Sequence, residues 1–159
     1  MLADCELVKT GQIIQPRTFS GLMDLYEQNY IRLKKIVPDL GIADEMISIS
    51  SGHLDLYLSV TERCKFTTML RMTYHLHEEN GTTHYEPDLH IRIYHDARIA
   101  EVQNRLDRNH QRIYSGDTLL QKWKLNRFLY KWLGYCLFQG HYFHPISNPK
   151  PKYNINLST

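Results

Sequence analysis

The sequence has few of the features that mark several large classes of protein. Its three cysteines, Cys5, Cys64 and Cys136, are odd in number and widely spaced among 159 residues. This pattern argues against a disulfide framework or a cysteine-based zinc site, and it favours a reducing compartment. No apolar run is long enough to cross a membrane, and the first residues lack the apolar core of a signal peptide. We therefore expect a cytoplasmic protein with no membrane segment.

Familiar catalytic motifs and a strong net charge are also missing. The chain has no Gly-rich phosphate loop, no HExxH, no GxSxG and no dinucleotide-binding fingerprint. The formal net charge is +2, which by itself does not indicate a nucleic-acid or membrane partner. With 42% hydrophobic and 23% charged residues, the composition is that of an ordinary globular protein with one core. No cofactor is indicated.

The chain divides into one central region and two flanking segments. Residues 18–140 carry the regular hydrophobic patterns and are predicted to form a single domain. Residues 1–17 are mixed in character and are interpreted as a loose N-terminal arm. The prolines within residues 141–159 indicate a C-terminal tail with little reason to fold.

Two segments show the three- and four-residue spacing of helices. The first is capped by Thr18 or Ser20 and runs to about Val37. The second spans about 118–139, with Asp117 as its predicted cap, and it is apolar nearly all round. Its central stripe comprises Leu125, Leu129, Trp132 and Cys136. Such a helix is buried on more than one side or meets a partner, so a homodimer through this helix is an open alternative.

Between the helices, alternation of apolar and polar residues predicts antiparallel strands joined by short turns. The runs are 46–50, 53–60, 66–77 and 88–102, with a further strand around 111–114. In the first run, Ile47 and Ile49 are predicted to share a face. Pro87 cannot donate to a central ladder, so residues 83–88 are predicted to be an edge piece or a loop. The result is an α+β fold, in which the helices cover one face of a sheet of four to five strands.

The longest run, Asp88 to Val102, changes phase part of the way along. Its apolar residues fall on odd numbers before Tyr94 and on even numbers from Ala100 onward. A β-bulge near residues 96–98 would produce this change within one strand. The alternative is that one strand ends and a second element begins at about Arg98. The sequence leaves both open.

Four stretches carry a resemblance to a known family. RIYHDARIAEV (92–102) resembles the signature of the bacterial YqiB-like proteins, a family of unknown function. LYEQNYIRLKKIVP (25–38), TERCKFTTML (61–70) and FLYKWLGYCLFQG (128–140) resemble it too, in the same order. The resemblance covers most of the chain from about residue 19 to 140. It implies a small bacterial cytoplasmic protein, and it brings no established activity, cofactor or catalytic residue.

The alternation also predicts one polar face on the sheet, left uncovered by the helices. Its members include Tyr57, Arg71, His75, His77, His90, Arg92 and Tyr94. Arginine forks bind phosphate or carboxylate, and tyrosine offers a stacking surface. All of these except His77, together with Asp96, are the candidate ligand-binding residues. We predict a non-catalytic binding or adaptor module for a nucleotide-like or other anionic ligand, or for a protein partner.

Two alternative functions would use the same face. His75 and His77 share a face, and with His90 on a neighbouring strand they would offer three imidazoles to a metal ion. A small metal-dependent or acid–base hydrolase, with Asp96 or Glu101 taking part, is therefore one alternative. The other is single-stranded nucleic acid held on cationic and aromatic side chains. We favour binding without catalysis, metal or nucleic acid, because no motif for these functions accompanies the residues.

Overall fold

The fold, seen in a computed structural model, combines two helices with an antiparallel sheet. The structure describes residues 8–9, 12–41, 43–107, 111–114 and 118–144. The predicted α+β class is confirmed. Among the described residues, neither helix is both long and apolar enough to cross a membrane.

The strands form a short hairpin and one larger sheet. The hairpin pairs β1 (Val8–Lys9) with β2 (Gln12–Ile13). The sheet contains, in spatial and chain order, β3 (Glu45–Ser48), β4 (Leu56–Arg63), β5 (Thr67–His77), β6 (Thr83–Tyr94), β7 (Ile99–Leu106) and β8 (Arg112–Tyr114). All neighbours are antiparallel, as the short connections predicted. The sheet has six strands because the short β8 joins the five longer ones.

Helix α1 (Phe19–Ile36) starts at one of its two predicted caps. The Thr18 hydroxyl accepts a hydrogen bond from the Gly21 N–H at 2.9 Å, which satisfies one of the free donors of the first turn. The helix ends at its C-cap, Val37, close to the predicted boundary.

Helix α2 (Leu119–Phe138) is capped by Thr118. The sequence had predicted Asp117 as the cap, and this prediction was wrong. The Thr118 hydroxyl accepts from the Gln121 N–H at 3.1 Å, and the Gln121 side chain accepts from the Thr118 N–H at 3.3 Å. This reciprocal capping box satisfies two backbone donors and sets the start of the helix. Asp117 itself lies outside the described residues. The predicted stripe is confirmed as buried: Leu125, Leu129, Trp132 and Cys136.

Both helices pack on the same face of the sheet, where the core lies. The core joins the inward positions of β3 to β7 to the buried sides of both helices. The helices run in the same direction, since Asn29 donates to the Asn126 carbonyl and Arg32 to the Tyr130 carbonyl one turn later. The Asn126 side chain also accepts from the Val102 N–H at 2.9 Å, which ties α2 to β7. Across β3 to β6, where the cleft residues lie, the other face of the sheet is left open.

The flanking segments contribute to the core where the structure describes them. Ile14, from the predicted arm, is buried in a second cluster with Leu22 and Trp123. Phe143, from the predicted tail, is 2% exposed and belongs to the main core. Residues 1–7, 10–11 and 145–159, which make up the rest of the arm and tail, lie outside the described residues.

Pro87 had indicated that residues 83–88 form an edge piece or a loop, and this prediction was wrong. They are the first half of β6, which lies between β5 and β7. Pro87 is tolerated because the β5 register shifts opposite it, between Thr73 and His75, and because the β7 ladder reaches only to Asp88. In the described ladders, no strand partner therefore requires an N–H at this position.

The phase change after Tyr94 is a strand end and not a bulge at residues 96–98. Strand β6 stops at Tyr94, residues 95–98 form a turn with Arg98 at φ 55°, and β7 starts at Ile99. A register irregularity does occur further along, where Gln103 is the extra residue of β7.

The residues of β3 that face the core are not the two isoleucines, Ile47 and Ile49, that the sequence pattern placed on one face. Met46 and Ser48 are buried, whereas Ile49 is 73% exposed. Ile47 pairs with Tyr57, whose side chain lies on the open face. The short strand therefore presents an isoleucine to the open face and a serine to the interior.

Candidate functional site

The open face of the sheet carries a cleft of about 440 Å³ across β3 to β6. Its lining residues are Glu45, Tyr57, Leu58, Ser59, Arg71, Thr73, His75, His77 and Tyr85. Strand register brings them together, since Tyr57 pairs with Thr73 and His75 pairs with Tyr85. The volume lies within the range of about 300–1,000 Å³ that is typical of small-molecule sites.

An ion pair fixes Arg71, the one arginine among the described residues that line the cleft. Arg71 Nε and Nη2 donate to the two carboxylate oxygens of Asp88 at 2.8 and 2.9 Å. The Asp88 side chain is 1% exposed, and the Arg71 side chain is 28% exposed. The hydrogen bond to Asp88 raises the pKa of Arg71 further, against the opposing effect of burial. Two of the five guanidinium N–H groups are used by this pair, so the group keeps donors for another acceptor.

Three aromatic rings form the wall next to Arg71. The Tyr57 and His75 rings stack with centroids 3.3 Å apart and an interplanar angle of 5°. Tyr85 meets His75 edge-on at 4.7 Å, and the Arg71 guanidinium lies 5.0 Å from the Tyr85 centroid. The result is a set of planar groups held in fixed relative orientations.

Burial keeps the His75 ring uncharged at neutral pH. Desolvation, followed by the charges of His77 and Arg71, lowers the pKa of His75 to about 4. Burial also raises the pKa of the Tyr57 hydroxyl. His75 therefore serves as a neutral planar wall of the cleft and not as a cation.

His90 lies behind the cleft, on the strand next to Arg71. It pairs with Arg71 across β5 and β6, and its Nε2 is 3.8 Å from Asp88 Oδ1. That distance is too long for a hydrogen bond, and among the described residues this buried nitrogen has no hydrogen-bond partner. Desolvation lowers the pKa of His90, although Asp88 opposes the shift. The surroundings of Asp88 thus contain one cation and one neutral imidazole.

A second polar group on the open face is the Glu101 cluster, which comprises Tyr26, Arg92, Tyr94, Glu101 and Gln103. Glu101 accepts hydrogen bonds from Gln103 at 2.7 Å, from the Tyr26 hydroxyl at 2.9 Å and from the Tyr94 hydroxyl at 3.4 Å. Arg92 donates to the Tyr94 hydroxyl at 3.5 Å. Among the described residues, β8 pairs with β7 at Arg105 and Leu106 and not at Glu101, so β7 is the sheet edge at this carboxylate. Tyr26 of α1 reaches Glu101 at this edge, and the cluster therefore attaches the helix to β7.

The predicted ligand-binding residues are therefore divided among three places. Tyr57, Arg71 and His75 line the cleft, and His90 adjoins it through the ion pair. Arg92 and Tyr94 belong to the Glu101 cluster. Asp96 lies in the 95–98 turn, exposed, and its carboxylate accepts from the Ala97 N–H at 2.9 Å.

The three histidines considered as metal ligands have different neighbours. The His75 ring contacts two tyrosines, His77 Nδ1 lies 3.1 Å from the Thr83 hydroxyl, and His90 lies beside Asp88. Within the part of the chain that the structure describes, no group of three or more His, Cys, Asp or Glu side chains is arranged to hold a metal ion. The His75 and His77 rings lie edge-on with centroids 6.3 Å apart, whereas His90 lies beside Asp88.

Three residues of the site were missed by the sequence reasoning. Asp88 has the same parity as His90, a signal that the expected break at Pro87 obscured. Tyr85 lies before the register shift, so its odd number places it on the open face with the even-numbered Asp88. Glu45 directly precedes the first predicted run and had no pattern to mark it.

Comparison with known proteins identifies relatives whose function is also unknown. A family model described as "Protein of unknown function (DUF1249)" matches residues 32–142. The curated relatives include the "Uncharacterized protein YqiB" of Escherichia coli strains K12, O6:H1 and O157:H7. Each is 26% identical over 138 residues, which cover 80% of this chain and 94% of the relative. No solved structure matches the chain.

Proposed function

Because the chain belongs to the DUF1249 family, whose function is unknown, we propose a function from its own geometry. The resemblance to YqiB-like proteins is confirmed by the same comparisons. We propose that the protein is a non-catalytic binding module. Its cleft holds a small ligand with one planar group and one anionic group, such as a carboxylate or a monophosphate.

The arrangement of Arg71 is the observation that carries this proposal. A buried ion pair contributes little stability compared with well-packed apolar residues, because both charges lose their hydration. What the Asp88 carboxylate does provide is a set orientation for the guanidinium at the wall of the cleft. A preorganised guanidinium loses little rotamer entropy when it binds an anionic oxygen, which favours affinity.

The charges around the cleft support a ligand with a single anionic group over a polyphosphate. Asp88 already compensates the charge of Arg71, and His75 is neutral because its pKa is lowered to about 4. Glu45 adds a carboxylate to the lining. A triphosphate would bring several negative charges to a site that has one compensated cation.

The same features favour binding over hydrolysis. A general base is most effective when its pKa lies near the working pH, and the pKa of His75 is well below neutrality. Its ring is also covered by Tyr57 on one face and met by Tyr85 at the edge. A long nucleic acid would need a row of cations along its phosphates, whereas Arg71 alone lines this cleft among the arginines and lysines of the described chain.

The test is a thermal-shift and NMR titration with planar acids. The probes are 3-phenylpropionate, indole-3-acetate, adenosine monophosphate and adenosine triphosphate. A planar compound with one anionic group should raise the melting temperature by mass action and shift the Arg71 Nε resonance. The variant Arg71→Lys keeps the charge but loses the bidentate fork, so its affinity should fall by about tenfold.

Arg92→Lys is the matched control, because Arg92 lies on the same face but in the Glu101 cluster. It should bind the probes as the unaltered protein does. Circular dichroism establishes that both variants are folded. The proposal is wrong if no planar compound with one anionic group binds, or if Arg92→Lys weakens binding as much as Arg71→Lys.

A further inference from the structure

A carboxylate and the paired guanidinium lie in one row across the cleft. Glu45 pairs with Ser59 in β3 and β4, and Ser59 pairs with Arg71 in β4 and β5. All three residues line the cleft. Neighbouring strands are about 4.8 Å apart, so the backbones of Glu45 and Arg71 are separated by about 10 Å. Two long side chains at this separation leave room between them for a small polar head group.

The two ends of this row differ in how their charge is compensated. Arg71 is paired with the buried Asp88. Glu45, in contrast, makes no salt bridge to any residue in the described ranges. The row therefore presents an unpaired acceptor at the β3 edge and an oriented donor at β5. A ligand that matches both ends needs a positive group and a negative group close together.

We propose that the cleft selects zwitterions, and specifically α-amino acids with a planar aromatic side chain. The inference rests on the proposed function and narrows its ligand class. The ligand carboxylate is bound by Arg71, the ammonium by Glu45, and the aromatic side chain lies against Tyr57 and His75. Glu45 also disfavours ligands that carry only a negative charge, because its carboxylate repels a second anionic group.

The experiment compares three probes that differ by one charged group. They are L-phenylalanine, 3-phenylpropionate, which lacks the ammonium, and phenethylamine, which lacks the carboxylate. Dissociation constants are measured by isothermal titration calorimetry on the full chain. Because L-phenylalanine makes one more hydrogen bond between charged groups than either analogue, it should bind at least about tenfold more tightly than each of them.

The variant Glu45→Gln assigns the ammonium contact. It should reduce the preference for L-phenylalanine over 3-phenylpropionate to less than about threefold, because the neutral amide carries no negative charge to attract the ammonium. The affinity for 3-phenylpropionate should stay the same or rise. Glu62→Gln is the matched control, since Glu62 is an exposed carboxylate at the far end of β4 and does not line the cleft. It should leave the preference unchanged.

The outcomes separate this inference from the proposed function. If 3-phenylpropionate binds as tightly as L-phenylalanine, or if Glu45→Gln leaves the preference intact, the zwitterion inference is wrong and the proposed function stands. The same holds if adenosine monophosphate binds and L-phenylalanine does not. If no planar compound with an anionic group binds, both are overturned.

Discussion

Asp88 and Glu101 are two carboxylates on the same open face of the sheet, and they are satisfied in different ways. Asp88 is almost fully buried and is bonded through both oxygens to a cation on the next strand. Glu101 is half-buried and accepts from neutral donors, one of which, Tyr26, comes from α1. The first carboxylate orients a cation beside a cleft, whereas the second attaches a helix to a strand.

The comparison shows that similar side chains on one face can orient a cation in one place and hold two elements together in another. Loss of the partner of Asp88 leaves a buried charge. Loss of a partner of Glu101 leaves a half-buried carboxylate with its other donors still in place. Substitutions in the two regions should therefore change the free energy of unfolding by different amounts, and the two regions should lose stability at different pH values.

The largest effect is expected for Arg71→Met, which leaves the Asp88 carboxylate buried without its cation. We expect a loss of about 3 kcal/mol in the free energy of unfolding, measured by urea denaturation. The double variant Arg71→Met/Asp88→Leu should regain much of this loss, because it removes both charges together. A loss below about 1 kcal/mol for Arg71→Met would show that the pair is dispensable.

A smaller loss is expected for Tyr26→Phe in the Glu101 cluster. It removes one hydrogen bond to a charged acceptor, so the free energy of unfolding should fall by about 1.5 kcal/mol. Burial, followed by the charge of Glu101, raises the pKa of Tyr26 above its usual value. Since the folded state holds this proton more tightly than the unfolded state, the contribution of Tyr26 is present below pH 10 and is lost as the pH rises further.

The control for this substitution is Tyr94→Phe, because the Tyr94 hydroxyl is 3.4 Å from Glu101 and should contribute less. Urea denaturation at pH 7 and at pH 11 compares the two variants with the unaltered protein. Tyr26→Phe should lose less stability between these two pH values than the unaltered protein does. If Tyr26→Phe and the unaltered protein lose equal stability between pH 7 and pH 11, Tyr26 does not contribute to the loss of stability at alkaline pH.

In the cleft, the expected pH response has the opposite sense and depends on His75. Its pKa in the folded state, about 4, is below the value of about 6.5 expected for the unfolded chain. The unfolded state therefore takes up a proton first, so stability falls as the pH is lowered from 6.5 toward 4. His75→Asn should show a shallower decline than the unaltered protein when the melting temperature is followed over this range.

His53→Asn is the control, because His53 is exposed and lies outside the cleft lining. Its acid decline should match that of the unaltered protein. The chemical shift of the His75 Cε1 proton provides a direct check. A midpoint near 6.5 in the folded protein would contradict the burial that the structure assigns to this ring.

The smallest effect is expected for Arg92→Ala, although Arg92 was predicted alongside Arg71. Arg92 contacts Met69 and the Tyr94 hydroxyl, and within the described ranges it forms no salt bridge to a buried carboxylate. The free energy of unfolding should change by no more than about 0.5 kcal/mol, and probe binding in the cleft should be unchanged. A loss as large as that of Arg71→Met would remove the distinction between the two regions.

Much of the fold could be predicted because its signals are local. Helix spacing and caps located α1, and the buried stripe of α2 was correct even though its cap was not. Alternation correctly placed Tyr57, Arg71 and His75 on one face. The prediction failed at Pro87, because a proline that excludes a regular ladder is compatible with a register shift, and such shifts depend on the neighbouring strand.

The sequence by itself determined which side chains turn toward the core and which turn toward water, because the period of a strand or helix is a property of neighbouring residues. Only the tertiary structure decided which outward residues meet. Strand register placed Asp88 against Arg71 and Glu45 in line with Ser59, and a helix brought Tyr26 to Glu101. Register and helix docking join residues distant in the chain, so they depend on packing energies that no local pattern contains.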